Sequence, residues 1–412
     1  MPNFSIPLSG LTADATALSA IANNLANQNT TGYKDTRVLF TDLFYQSLGT
    51  TGAGDPIELG AGATVGSMPA NFTQGSVQAT GVPTDVAIQG DGFFAVEEGG
   101  LTSYTRAGDF SVNSGNFLVT SSGQNVLGYP AVNGVVNTGA GVAPLQIGAG
   151  TTSPPTATAN VQIDTNLNAG HAVGTTYSTP VTIYDSLGTT HILTFSFTKS
   201  ATNTWSYSLF IPATDLSGVG ATGILAAGTL MFDGNGNLTS PTTDITKIPI
   251  TGLADGASDM TFNWNILNGT TPVITQVSAP DSTTATQQDG ASAGSLLDFS
   301  IGPDGTITGS FSNGKTAALG QLALASFANE EGLEAQGDTD FVPTLASGQA
   351  VLGVPGTGGR GTLAGGSLEL SNVDIATEFA NLIVAQRAFE ANAKAVNTFD
   401  TITSDTINLK QT

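Results

Sequence analysis

The chain contains no cysteine, only two histidines, and only 10 lysines and arginines among its 412 residues. The absence of cysteine excludes disulfides, thiolate nucleophiles and cysteine-ligated metals. With 32 Asp and Glu the formal net charge is -22. This balance argues strongly against a nucleic-acid ligand, because binding needs cations that displace counterions from phosphate. An anionic membrane surface is disfavoured for the same reason. No apolar run approaches the ~20 residues that span a bilayer, so no membrane insertion is expected. The opening MPNFSIPLSG lacks a basic segment followed by a long apolar one, so no cleaved signal peptide is expected. The conventional reading is cytoplasmic, with export by a route that needs no cleaved signal left open.

Charged residues make up only 10% of the chain, against roughly 25% in ordinary globular domains. Glycine, alanine, threonine, serine and asparagine take their place, a mixture suited to β-rich domains with tight turns or to surfaces that associate with copies of themselves. The length corresponds to roughly two to four domains.

Near the start, SAIANNLANQNTTGYK (residues 19–34) begins as a helix and ends in a turn. Leu8, Leu11, Ala15, Leu18, Ala22 and Leu25 recur at spacings of three and four, with Ile21 widening the apolar face. Between Met1 and Tyr33 the only charged side chain is Asp14, in the early part of the helix where the macrodipole favours an anion. No ion pairs decorate the back of this helix, which carries Ser, Thr, Asn and Gln. Asn27 to Thr31 end the periodicity, Gly32 is read as a left-handed C-cap or turn, and Asn29, Thr30, Thr31 and Gly32 together are read as a hinge. At the other end Ser371-Asn-Val-Asp374 is a capped helix start. Phe379, Leu382, Phe389, Ala393 and Val396 follow at heptad-like spacing, with Asp374 and Glu378 near the positive end of the helix and Lys410 near its negative end. The expected assembly seam is therefore Leu8, Leu11, Leu18, Ile21 and Leu25 with Phe379, Leu382, Phe389 and Val396. A single pair of such helices is marginal alone and is expected to fold fully when many copies bundle.

Between the ends the texture is β. Asp91–Pro130 reads as short alternating strands with hairpin punctuation. Turns are expected at Asp185–Gly188, near Ala201–Asn203, at Asp304-Gly305 and at Asn313-Gly314. Gly- and Pro-rich stretches at residues 140–155 and 353–366 mark boundaries. The fold class is mainly β with α-helical termini, nested and multidomain. Residues 1–32 and 371–412 form an inner helical domain, and 33–70 and 353–370 are linkers. Residues 71–147 and 295–352 form a middle β domain, into which 148–294 insert an outer β domain.

No catalytic, cofactor-binding or metal site is expected. Gly290-Ala-Ser292-Ala-Gly294 matches a nucleophile elbow, but both histidines precede the serine and the context is a loop. Asp233-Gly-Asn235-Gly-Asn237 with Asp244 imitates a calcium loop, but Leu238 stands where glycine is required, and a hairpin turn explains the same residues. His171 and His191 lie in β-textured sequence without local zinc-ligand spacing and are read as surface or strand residues. The segment GAGDPIELGAGATVG lacks the lysine of a phosphate-binding loop.

Three stretches together resemble one family. SGLTADATALSAIANNLANQNTTGYK resembles the N-terminal signature of the bacterial flagellar rod and hook proteins. QGDGFFAV with YTRAGDFSVNSGNFLVTSSGQNVLGY is similar to their shared β domain, and GGSLELSNVDIATEFANLIVAQRAFEANAKAVNTFDTITSDTINLK to their C-terminal helix. Within the family, VTIYDSLGTTHILTFSFTK and SIGPDGTITGSFSNGKTAALGQLALASFANEEGL resemble the outer domain, and the return to the middle domain, of the hook members. The resemblance implies a non-enzymatic structural subunit of the flagellar hook, a curved self-assembled tube passing motor torque from rod to filament. It implies an extracellular location, export unfolded through the flagellar type III apparatus, and contacts with the distal rod protein, a hook cap, a length-control protein and hook–filament junction proteins. Some spirochaete hooks cross-link through a cysteine, which this chain lacks. Two alternatives remain open: a distal rod protein with an unusual insertion, and a monomeric β-rich surface adhesin or hydrolase whose helices dock internally.

Overall fold

The computed structural model describes residues 5–44, 46–51, 54–147, 151–217 and 223–409. Met1–Phe4, Lys410 and the step at 148–150 where the sequence places the start of the insertion lie outside these residues. The chain divides into two compact units: residues 1–149, 299–309 and 317–412, and residues 150–298 with 310–316.

In the first unit, helix α1 spans Ser5–Ala26 and helix α2 spans Ile375–Leu409. The start of α2 is capped as its sequence requires, with Asp374 Oδ1 accepting the Ala376 and Thr377 N–H groups at 2.9 and 3.1 Å. The polar back of α1 satisfies itself. Thr16 and Ser19 hydroxyls donate to the carbonyls of Thr12 and Ala15, one turn earlier. An uncharged helix surface therefore carries few unmet hydrogen bonds.

The β part of this unit is organised on strand Phe93–Glu98, which pairs antiparallel with Leu101–Thr105, Asn125–Val132 and Leu324–Ser326. Its sequence FFAV is apolar on both faces because both faces are covered. Phe94 and Val96 join Val86, Leu118, Leu322 and Leu324 in one core, while Phe93 and Ala95 join Tyr104, Leu127, Ala325 and Phe341 in another. Phe93 makes edge contacts with Phe72, Phe327 and Phe341 at centroid distances of 5.3, 5.6 and 5.9 Å.

The Gly-rich segment 353–370 is not the linker its composition indicates. Thr362–Gly365 pairs with Val86–Gln89, and Ser367–Glu369 pairs with Val77–Ala79. Its glycines mark close backbone approach: a Cβ on Gly361 would collide with the Gln89 carbonyl, and one on Gly365 would meet Ile301 O at 2.5 Å.

The second unit packs two five-stranded sheets around one core. An antiparallel sheet runs through Thr176–Tyr184, Thr190–Ala201, Thr204–Phe210, Ile224–Phe232 and Leu238–Ser240. The other sheet is built on Asn160–Asn166, which pairs parallel with Met260–Asn265 and antiparallel with Ser282–Gln288. Phe195, Phe197 and Trp205 of the first sheet meet Val161, Ile163 and Trp264 of the second in the core. The turns expected at Asp185–Gly188 and Asn203 are present, with positive φ at Gly188 (84°) and Asn203 (56°).

Candidate assembly surface and helix–β junction

Alanine lets α1 and α2 approach closely. The buried line on α1 is Ala13, Ala17, Ala20 and Asn24, at spacings of four, three and four. It is a different stripe from the leucines. Gly10 lies against Asn392, whose Nδ2 would be 2.7 Å from an added Cβ. On α2 the buried residues are Glu378 and Ala385, seven apart, and Asn392 seven further on donates to Asp14 Oδ2 at 2.8 Å. The leucine stripe is left at the side: Leu8 is 51% exposed, and Leu11, Leu18, Ile21 and Leu25 are half-buried. On α2, Leu382, Phe389 and Val396 are half-buried and Phe379 is 52% exposed. Ile375, Ile383, Val384, Ile402 and Ile407 are also exposed. Beside the pair lies a groove of about 640 Å³, lined by Ala17, Ile21, Phe40, Glu378, Val384 and Ala388 among others.

Where the helices meet the β sheets, Asn24 is 1% exposed and holds several strands of chain together. Its Nδ2 donates to Thr36 O at 3.0 Å and Glu378 Oε2 at 3.4 Å, while its Oδ1 accepts from the Tyr33 hydroxyl and Thr36 N at 3.1 Å each. Of the expected hinge residues, Asn29 is exposed, Thr30 and Thr31 are half-buried, and Gly32 is buried. Gly32 has φ +67° and donates its N–H to Glu369 O at 2.9 Å. The left-handed turn thus forms where the sequence places it, wedged against Arg106 and Ala107.

Beneath it is a buried ion cluster. Lys34 Nζ donates to Glu369 Oε1 at 2.7 Å, and Arg106 Nη1 to Glu369 Oε2 at 3.5 Å, with all three side chains at most 1% exposed. Gly75 N (2.8 Å) also donates to Glu369, Lys34 donates to Thr73 O (2.8 Å), and Arg106 stacks on Phe93 at 5.2 Å. Burial lowers the Lys34 pKa from its ordinary value, although Glu369 pulls the other way. Asn372, beside this cluster, accepts from Asp35 N and donates to Asn71 O, each at 2.8 Å. Sequence reasoning missed Lys34, Glu369 and Asn24 as a set. The available signal was a lone lysine closing an otherwise uncharged stretch, which needs an acidic partner if it is buried.

A cleft of about 560 Å³ beside the junction contains Asp109 and Asp340, whose carboxyl pKa values burial pushes up. Asp340 is held by Gln124 and Ser103. Its lining includes neither histidine nor arginine, and Tyr33 and Lys34 stand there beside the aspartates.

The remaining sequence candidates resolve as structural. Asp233 Oδ1 accepts the Asn235 and Asn237 N–H groups at 2.9 and 2.8 Å in a hairpin turn, which those bonds hold below the ordinary aspartate pKa, led by the Asn237 side chain. Asp244 caps Ile266 and Leu267 N–H groups elsewhere. Ser292 lies between two strands with its carbonyl accepting from Asn313. His171 is partly exposed and pairs with Asp281 at 2.6 Å. His191 is a strand residue, the second of the two readings of the sequence, and not a surface one. It is buried, with ligand-competent atoms of Asp185, His191 and Asp255 within 4.8 Å of one another. These carboxylates are gathered by tertiary structure, so no local spacing reveals them. Among the described residues, no helix is long and apolar enough to cross a membrane.

Four family models match in chain order: the flagella basal body rod protein model over residues 6–34 and the flagellar hook protein FlgE/F/G D1 domain over 87–169. The flagellar basal body protein FlaE D2 domain matches 150–291 and the flagellar basal body rod FlgEFG protein C-terminal model matches 364–409. The chain is 37% identical to the flagellar hook protein FlgE of Salmonella typhimurium, covering 99% of this chain and 100% of that protein. It is 35% identical to the protein of that name from Escherichia coli K12 (99% and 100% covered) and 35% identical to that of Treponema pallidum (98% and 98%).

Proposed function

The chain belongs to the flagellar hook protein family and is a structural subunit of the flagellar hook, not an enzyme; from that premise we propose how its copies join and move. The polymer is held at its inner layer by residues 1–32 and 371–412, the segments that contain α1 and α2. The proposed seam is Leu8, Leu11, Leu18, Ile21 and Leu25 with Phe379, Leu382, Phe389 and Val396. The observation that carries this is the division of labour on the helices. Small residues join the two helices within one chain, and the large apolar residues are left half-buried or exposed beside an open groove. Full burial of a large apolar side chain is worth about 1.5–3 kcal/mol, so a half-buried one gains up to roughly half of that when a neighbour covers it.

Asn29–Gly32 act as the hinge through which the helical layer changes direction relative to the β layers, with the Lys34–Glu369 cluster as its fixed base. Residues 33–70 form the connecting arm, 71–147 and 295–352 the middle β layer, and 148–294 the outer layer. Copies sliding past one another in that outer layer would let the tube bend while passing torque from rod to filament. Export through the flagellar type III apparatus, unfolded and without a cleaved signal, accords with a chain that has no disulfide to reduce. The distal rod protein, a hook cap, a length-control protein and hook–filament junction proteins are the proposed heterologous partners.

Negative-stain electron microscopy of the purified chain, salted towards polymerisation, tests the reading. Curved or supercoiled tubes are expected. Straight rigid tubes would replace it by the rod reading, and particles that stay monodisperse with added hook cap would refute assembly through the helices.

A further inference from the structure

His191 is buried because of its register. In strand Thr190–Ala201 the inward positions are His191, Leu193, Phe195, Phe197 and Lys199, so the histidine shares a face with three core residues. Both of its ring nitrogens face carboxylates. Nδ1 is 3.0 Å from Asp215 Oδ2, and Nε2 is 3.2 Å from Asp185 Oδ2 and 3.8 Å from Asp255 Oδ2.

The three carboxylates come from three loops of the inserted unit that are also joined through backbone. Asp185 closes the turn before the strand, where its Oδ1 accepts the Leu187 and Thr189 N–H groups at 2.8 and 2.9 Å. Asp215 and Asp255 lie on segments that bridge at Leu216 and Leu253, with Ala254 N donating to Asp215 O at 2.9 Å. Ser258 N donates to Ser186 Oγ at 3.1 Å, tying the third loop to the first. Nearby Asp259 is turned away, accepting from Gly252 N at 2.9 Å. Among the described residues no lysine or arginine forms an ion pair with Asp185, Asp215 or Asp255.

A neutral imidazole carries one N–H and one lone pair, so it can donate to one side of this cluster only and turns a lone pair towards the carboxylate on the other. An imidazolium donates to both. We propose that a proton on His191 latches three loops of the inserted unit together, the imidazolium bridging Asp185 and Asp215 with Asp255 alongside, and that losing this proton loosens that end of the unit. This goes beyond the assembly reading and stands whether or not that reading does.

The direction of the effect follows from linkage. Burial alone would lower the His191 pKa, but the hydrogen bonds and charges of Asp215 and Asp185 outweigh it and raise the value above the ordinary one. A group raised on folding contributes its full stability below the unfolded value of about 6.5, and loses it as pH rises through the folded value. Burial pushes Asp185 up, but Asp255, His191 and the two backbone N–H groups hold it down at about 2. Its contribution is present above about 3.9, the unfolded value, and is lost as pH falls through the folded one. The latch is therefore firmest between about pH 4 and 6.5.

The test is nitrogen NMR of full-length monomer labelled only at histidine. The chain has two histidines, and His171→Gln assigns the signals. Both His191 ring nitrogens should be protonated at pH 6, with a titration midpoint above 6.5 that Asp215→Asn moves down. The thermal midpoint of the inserted unit should fall between pH 6 and 9, and that fall should shrink in Asp215→Asn and vanish in His191→Gln. If His191→Gln does not fold, Asp215→Asn alone decides. A midpoint at or below 6.5, or one bare ring nitrogen at pH 6, would overturn the proposal. So would a ring signal shifted until EDTA is added and restored by zinc, which would make the cluster a metal site.

Discussion

Replacing Lys34 by methionine removes the cation from the junction at nearly constant length. Glu369 would keep the Gly75 N–H at 2.8 Å and Arg106 at 3.5 Å but lose its 2.7 Å partner, in a site with no exposed side-chain surface. Breaking one partner of a buried pair costs about 3–5 kcal/mol, because the other charge stays buried. With a urea dependence of about 2–3 kcal/mol per molar, the transition should move by roughly 1–2.5 M. The chain supplies its own internal control. Its two tryptophans, Trp205 and Trp264, both lie in the core of the inserted unit. Helical circular dichroism at 222 nm should therefore shift in urea while the tryptophan fluorescence transition stays in place. Pairing Lys34→Met with Glu369→Gln should restore part of the loss, with a coupling of about 0.5–3 kcal/mol. A helical transition unmoved by Lys34→Met would refute the claim that this cluster anchors the helices. An equal shift in fluorescence would refute confinement of the effect to the helical unit.

Leu18→Asp should abolish polymerisation seen by microscopy while leaving the monomer's helical signal nearly intact, because Leu18 is only half-buried. Ala17→Asp, which places a charge between α1 and α2, should lose both, and identical behaviour of the two variants would remove the distinction between the alanine and leucine stripes. Gly32→Ala should cost at least about 1–2 kcal/mol for its left-handed backbone. Its Cβ would also sit 2.5 Å from Ala107 N and 2.6 Å from Arg106 C, so an unchanged urea midpoint would show that Gly32 is not wedged. Gln276→Leu removes the acceptor of the buried Trp205 Nε1–H, now at 2.9 Å, and should cost about 1–3 kcal/mol in the fluorescence-detected transition, which calorimetry can check.

The helices, their cap and most hairpins were legible because each is set by residues close in sequence. Asp374 caps α2 from two and three residues away, and Gly188 and Asn203 turn their hairpins with positive φ. The family resemblance was legible for a related reason, since its signatures lie in contiguous stretches at both ends and in the middle. The Gly-rich segment at 353–370 misled because glycine serves both loose linkers and backbones that must nearly touch, and composition does not separate the two uses.

The sequence by itself determined the absence of thiol chemistry, the terminal helices and the β texture between them. Each follows from residue inventory or from a period of two or 3.6. Only the tertiary structure decided which stripe of α1 faces α2. Leucine and alanine stripes share one periodicity, and close packing selects the smaller residues for the intrachain contact. It alone brought Lys34 to Glu369, 335 positions away, and Asp215 to His191, 24 positions away. A buried charge requires a partner, but the identity of that partner depends on which distant segments the fold brings to it.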